Sequence, residues 1–234
     1  MPFLTPLETE AVALSLRVAL VSVVFALPTG LLVAWLLVRA RFPGKSLLDA
    51  LVHLPLVLPP VAVGYLLLIA LGRNGVIGGW LYDSFGISFA FTWKGAAVAA
   101  AVMAFPLMVR AMRLSLEAVD PGLEAAARTL GATRRRVFLT VTLPLMAPGI
   151  LAGGVLAFAR ALGEFGATIT FVSNIPGETR TLPIALYTLT QTPGGEASAA
   201  RLAILAALLA FAALIGSEWL ARRVKATRGA KAGS

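Results

Sequence analysis

An all-α polytopic membrane protein is what this sequence predicts, and three observations predict it. Of its 234 residues 59% are hydrophobic and 13% charged, with a mean hydropathy of +0.88; soluble domains of this size are seldom so apolar. The apolar residues gather in five long runs, at about 11–38, 47–71, 95–112, 143–162 and 199–221, and about 20 such residues cross a ~30 Å hydrocarbon core as a helix. The basic residues cluster between these runs: residues 39–46 hold three, 110–136 hold six and the tail from 222 holds five, fourteen of the twenty in all. That distribution also excludes a nucleic-acid partner, because the net charge of +9 lies on no single soluble face. The absence of cysteine rules out disulfides and thiolate metal sites, and one histidine argues against a zinc centre. No catalytic residue and no metal site are expected.

Taken in order, residues 1–10 carry Glu8 and Glu10 and no Lys or Arg, which is unlike the basic start of a secretory signal peptide. The first run is longer than the bilayer requires, so it tilts or kinks, with Pro28 and Gly30 as the interruptions. Arg17 near its start is expected to snorkel to the outer interface. Gly44-Lys45-Ser46 imitates the end of a phosphate-binding loop, but Arg39 stands where that loop needs its first glycine, so no nucleotide site is expected.

The second run carries Pro55, Pro59, Pro60 and Gly64 and must be bent, its freed carbonyls satisfied by neighbouring helices or a wet cavity. His53 in it reads first as a packing residue, with a proton relay as the alternative. Residues 72–94 read as a loop whose Trp80, Tyr82 and Trp93 suit an interfacial belt. In the fourth run, Gly149-x3-Gly153 invites close helix approach, within one chain or between two. Residues 163–198 are too polar to span, and Asn174-Ile-Pro-Gly177 and Thr192-Pro-Gly-Gly195 read as turns. By the positive-inside rule the basic clusters face the cytoplasm. Five spans then put the N-terminus outside and the C-terminus inside. Residues 1–221 read as one transmembrane domain, with a polar loop at 113–142 and a basic cytoplasmic tail at 222–234.

That loop is the most informative stretch. Asp120 suits a helix N-cap and Pro121 the first helical position; Ala125, Ala126 and Ala127 propagate the helix, and Gly131 suits the left-handed residue that closes it. Thr133 can cap a second short helix running towards Leu143-Pro144. Two small arginine-rich helices meeting at a glycine make a docking surface; the plainer reading is a helical turn between spans.

The pattern Ala125-Ala126-Ala127-x3-Gly131-x9-Val141-x-Leu143-Pro144 resembles the cytoplasmic coupling loop of ABC-importer permeases, E-A-A-x3-G-x9-I-x-L-P. Here Ala125 stands at the motif glutamate, Glu124 stands one residue early, and Val141 replaces isoleucine. The glutamate's role therefore does not carry over residue for residue. Ala159–Thr168, Asn174–Pro183 and Gln191–Glu196 are similar to the molybdate-importer permeases, and the resemblance runs from Leu4 to Arg223. Sulfate-importer permeases share the Gly-Glu-aromatic-Gly element but less of the rest.

The resemblance implies a type I ABC-importer permease in a bacterial inner membrane. It implies a second copy of the chain, two cytoplasmic ABC ATPase subunits and a periplasmic molybdate-binding protein as partners, beside membrane lipid. It also implies no cofactor on this chain, with ATP and Mg on the ATPase subunits. Glu124, Ala125, Ala126, Ala127, Gly131, Leu143 and Pro144 are the expected coupling residues. Arg160, Gly163, Glu164, Phe165, Gly166 and Thr168 are the expected pathway or outer gate, with hydroxyls of Thr168, Thr170 and Ser173 offered to a dianion. Arg160 and Glu164, four apart, also read as a plain helix pair. Two readings from other classes stand beside this one. An ion-coupled secondary transporter would titrate His53, Asp49 or Glu164, although no inverted repeat is evident; a membrane scaffold would recruit the ATPase without anion flux. No regulatory domain is expected beyond residue 221.

Overall fold

The computed structural model describes residues 5–232, with side chains through Gly216 and at Trp219; the basic side chains from 222 onward lie outside what is described. All regular structure among the described residues is helical. Helix α1 (Pro6–Arg39) is opened by a capping box: Thr5 Oγ1 accepts from the Glu8 N–H, and Glu8 Oε2 accepts from the Thr5 N–H at 2.7 Å. Its 34 residues extend to ~50 Å, so it runs well past a bilayer's hydrocarbon core.

The second apolar run is not one helix. It forms α2 (Lys45–Val57) and α3 (Pro60–Leu71), which meet at 117°. Pro60 supplies no N–H, and Pro59 and Pro60 each bar an α conformation in the residue before, so the break falls at Leu58-Pro59. At 13 and 12 residues, neither half is long enough to span alone. The 72–94 segment, read from sequence as a loop, contains α4 (Val76–Phe85), closed by left-handed Gly86. There Arg73 lies over the Tyr82 ring and bonds its hydroxyl at 3.0 Å, and Trp80 meets Phe85 edge-on.

The core is built around α5 (Trp93–Glu117). Ala96, Ala97, Ala99, Ala100 and Ala104 let α1 and the following long helix approach its backbone, while Met103, Met108 and Met112 fill the remaining gaps. Alanine-lined packing replaces a hydrophobic driving force that lipid, itself apolar, cannot supply. Beyond α5 come α6 (Pro121–Thr129) and α7 (Arg134–Val137), then a π-helical turn at Phe138–Thr142 and α8 (Leu143–Leu162).

The second short helix expected after Thr133 is therefore not separate: 134–162 is one continuous helix. Pro144 has no N–H to give the carbonyl four residues back, and the chain widens to a π turn just before it, with the Leu143 N–H bonding the Phe138 carbonyl. Gly149 and Gly153 lie against α5, Gly149 facing Ser115 and Gly153 the Met108 carbonyl, so this small-residue pair works within the chain.

Residues 163–198 hold two short helices, α9 (Gly166–Val172) and α10 (Leu182–Thr190), before α11 (Glu196–Ala232). At the α1/α11 end, buried Glu8 pairs with Arg201 at 2.9 Å and Ser15 accepts from the Leu182 N–H at 2.6 Å. Arg17 does not simply snorkel; its guanidinium stacks on Trp93, 3.7 Å from the ring centre. Among the described residues, four helices, Pro6–Arg39, Trp93–Glu117, Arg134–Leu162 and Glu196–Gly216, are long and apolar enough to cross a membrane. The bent α2–α3 pair makes a fifth crossing if it is counted as one.

Candidate functional site

The sequence-predicted residues fall into two places. The first is the α6 hairpin. Asp120 Oδ1 accepts from the Gly122 N–H at 2.7 Å and Thr133 Oγ1 from the Arg136 N–H, so α6 and the long helix that starts at Arg134 both begin where capping chemistry puts them. Gly131 sits at φ +86°, and the Ala132 N–H returns to the Ala127 carbonyl, closing α6 as a left-handed cap does. The helix buries none of its residues. A helix of this length is marginal on its own in water, so its presentation depends on caps and tethers rather than on an apolar stripe.

Its outward face carries two residues that the sequence reading passed over. Leu123 is 50% exposed and Leu130 88% exposed, on either side of exposed Ala125 and Ala126. Their seven-residue spacing was the available signal, since positions i and i+7 share a helix face. Arg128, Arg134, Arg135 and Arg136 stand exposed beside them. The arrangement is a small exposed apolar ridge accompanied by exposed arginines.

Glu124 points the other way. Its Oε1 accepts from Arg39 at the end of α1 at 3.1 Å and from the Thr142 hydroxyl at 2.8 Å. Leu143 is half-buried and Pro144 exposed just beyond.

The second place is the junction of α8 and α9. Arg160 Nη1 lies 2.7 Å from Glu164 Oε2, and Glu164 is buried, 2% exposed. Glu164 Oε1 also accepts from the Ala167 N–H at 2.8 Å, so its carboxylate caps α9 and ties it to α8. Thr168 gives its hydroxyl proton to the carbonyls of Glu164 and Phe165, and Thr170 gives its own to Gly166. A hydroxyl has one proton, so neither is left as a donor for an oxyanion in this conformation, contrary to the expectation for these threonines. Ser173 has a strained φ of +63° and accepts through its carbonyl from Thr179. Phe165 packs on Tyr187 with ring centres 5.1 Å apart, and Gly163 is exposed at the turn.

Given this geometry, Glu164→Gln is expected to lower thermal stability, with a cost of about 1–3 kcal/mol for a buried charge-assisted pair reduced to neutral bonds. Thermal unfolding in detergent measures it; an unchanged midpoint would show that the pair carries no structural weight.

The groups required by an ion-coupled mechanism are divided between two clusters. Asp49 bonds Arg113 at 3.1 Å and lies 3.4 Å from His53, and Arg113 reaches on to Glu117. Glu164 belongs to the separate Arg160 pair.

Comparison with known proteins places this architecture. Residues 26–226 match the family described as the binding-protein-dependent transport system inner membrane component. The chain belongs to that family. Among relatives of this transport component, the molybdenum transport system permease protein ModB of Escherichia coli K12 is 68% identical over 94% of this chain and 96% of its own. ModB of Haemophilus influenzae is 59% identical over 95% and 97%. The sulfate transport system permease protein CysT of Escherichia coli is 42% identical over 87% and 74%.

The fold recurs in a bacterial ABC transporter involved in the import of alginate, with TM-score 0.75 and 19% identity over 94% of this chain and 81% of that one. It recurs also in the MetNI methionine ABC transporter, with TM-score 0.70 and 19% identity over 93% and 96%. This transport component is thus an all-helical, multi-pass inner-membrane protein with the fold of ABC-importer permeases.

Proposed function

We propose that this chain is the transmembrane subunit of an ATP-driven molybdate importer. The observation that carries the reading is the match to molybdenum transport permeases along nearly the whole of both chains. Two copies form the pathway, two ABC ATPase subunits seat on the paired α6 hairpins, and a periplasmic binding protein delivers the anion. The exposed Leu123–Leu130 ridge with its arginine rim supports the ATPase seat. Exposed Leu51, Leu54, Val57, Val61 and Tyr65 on α2 and α3 offer apolar surface to a second copy or to lipid.

ATP binding closes the ATPase subunits and draws the hairpins together, the spans open outward to receive the dianion, and hydrolysis resets them. The chain performs no chemistry of its own; ATP and Mg reside on the partner subunits. Selectivity lies mainly in the delivery protein, since a passage site must release what it accepts. Reconstitution with the ATPase and the binding protein tests this directly, by comparing ATP-dependent uptake of molybdate, tungstate and sulfate. Uptake of sulfate alone would reassign the importer to the sulfate class, and uptake without ATP would end the reading.

The topology has its own test. Glu8 is buried, so the outer reporter is exposed Glu10 and the inner one exposed Arg135. In this cysteine-free chain, Glu10→Cys and Arg135→Cys are expected to react with an impermeant thiol reagent from opposite sides of the membrane. Labelling of both from one side would overturn the arrangement.

A further inference from the structure

Helix α6 poses a mechanical problem. None of its residues is fully buried, and a helix with so little interlocking side-chain surface pushes its neighbours only weakly through packing. Displacement of its outer face has to pass inward mainly by another route. One carboxylate oxygen supplies it. Glu124 Oε1 accepts from Arg39 Nη2 and from the Thr142 hydroxyl, while the same Arg39 nitrogen reaches the Val119 carbonyl at 3.4 Å. Four pieces of chain converge there: the last residue of α1, the link from α5 into α6, α6 itself, and the π turn that leads into α8.

The node is shielded, with the Glu124 side chain 16% exposed and the Arg39 side chain 23%. A charge-assisted pair held this way keeps its strength where a fully exposed pair would be screened. Thr142 is buried and ends the π turn, so whatever moves Glu124 moves the start of α8. Through Glu164, the far end of α8 holds α9.

We propose that Glu124 is the transmission joint of this permease: it faces inward, away from the ATPase, and passes the motion of α6 to α1 and α8 through Arg39 and Thr142. Glu124 is thus a positioning residue, and the ATPase-facing role belongs to the opposite face of the helix. The inference rests on the proposed ATP-driven import.

The test uses the full complex in proteoliposomes with its ATPase and binding protein, reading ATPase co-purification and molybdate taken up per ATP hydrolysed. Glu124→Gln and Arg39→Gln are each expected to retain the ATPase at the wild-type ratio while uptake per ATP falls about tenfold. The double variant is expected to be no worse than the worse single one, because both break the same joint. Thr142→Val is nearly isosteric, leaves the ion pair in place and guards against misfolding of the charge variants; it is expected to lose about threefold.

Wild-type uptake per ATP in Glu124→Gln and Thr142→Val would overturn the proposal. So would loss of the ATPase from Glu124→Gln with the bundle intact, which would place the carboxylate on the partner, or a double variant whose loss is the product of the two singles. Failure of the underlying function is separately visible, as wild-type complex that takes up no molybdate with ATP.

Discussion

Gly131→Asp is expected to release the ATPase subunits from an otherwise intact membrane bundle and to reduce ATP-driven uptake to background. Gly131 holds φ +86°, and a Cβ added there meets nothing of this chain within 4 Å. Within the isolated chain the cost is therefore backbone strain alone, about 1 kcal/mol for alanine. Asp tolerates the left-handed region better than Ala does. If strain were all that mattered, Gly131→Ala would be the worse variant.

The proposed seat reverses that order. A carboxylate at the elbow of the hairpin would stand beside the Leu130 ridge, in the space an ATPase groove must occupy, and would bury an unpaired charge on docking. Co-purification of the ATPase with each variant, alongside thermal unfolding of the permease alone, separates the two effects. Equal retention of the ATPase by Gly131→Asp and wild type would remove Gly131 from the seat.

Gly64→Val carries the second large effect, at the other candidate site. A Cβ on Gly64 would lie 2.5 Å from the Ala167 carbonyl oxygen and 2.9 Å from both Ala167 Cα and Thr170 Cβ. Backbone cannot swing aside as a side-chain end can, and α9 is held at its start by the Glu164 cap. Valine must therefore part α3 from α9, at a cost of about 1–3 kcal/mol or more. The expected result is a lowered unfolding midpoint together with loss of uptake. Gly154→Ala is the control, because its Cβ meets its nearest neighbours, Val23 and Leu27, at ordinary contact of 3.9 Å. Wild-type melting and uptake in Gly64→Val would show that α3 and α9 do not pack this way in the working protein.

Much of this was legible in the residues themselves. The all-helical membrane class followed from hydropathy and from where Lys and Arg collect, since the bilayer enforces both whatever the packing. The caps at Asp120 and Thr133 and the left-handed turn at Gly131 are local chemistry, settled within three or four residues, so sequence reasoning could reach them. The break at Pro59-Pro60 was legible as a bend. Its angle of 117° was not, because the angle depends on how α3 lies against α9.

Other features depended on residues far apart in the chain. Glu124 read as part of a partner-facing motif, yet Arg39, 85 residues away, and Thr142 turn it inward. Thr168 and Thr170 read as donors for an anion, but helix formation over 166–172 spends their protons on their own backbone. Residues 72–94 read as a loop because their glycines suggest turns, whereas Gly78 lies inside α4, closely backed by the carbonyls of Leu71 and Gly72. By itself the sequence determined the helical class, the membrane environment and the capped hairpin, because solvent and neighbouring residues dictate those. Only the tertiary structure decided which way Glu124, Glu164 and the threonines face, because a polar side chain in a bundle turns towards whatever partner the packing brings within hydrogen-bond reach.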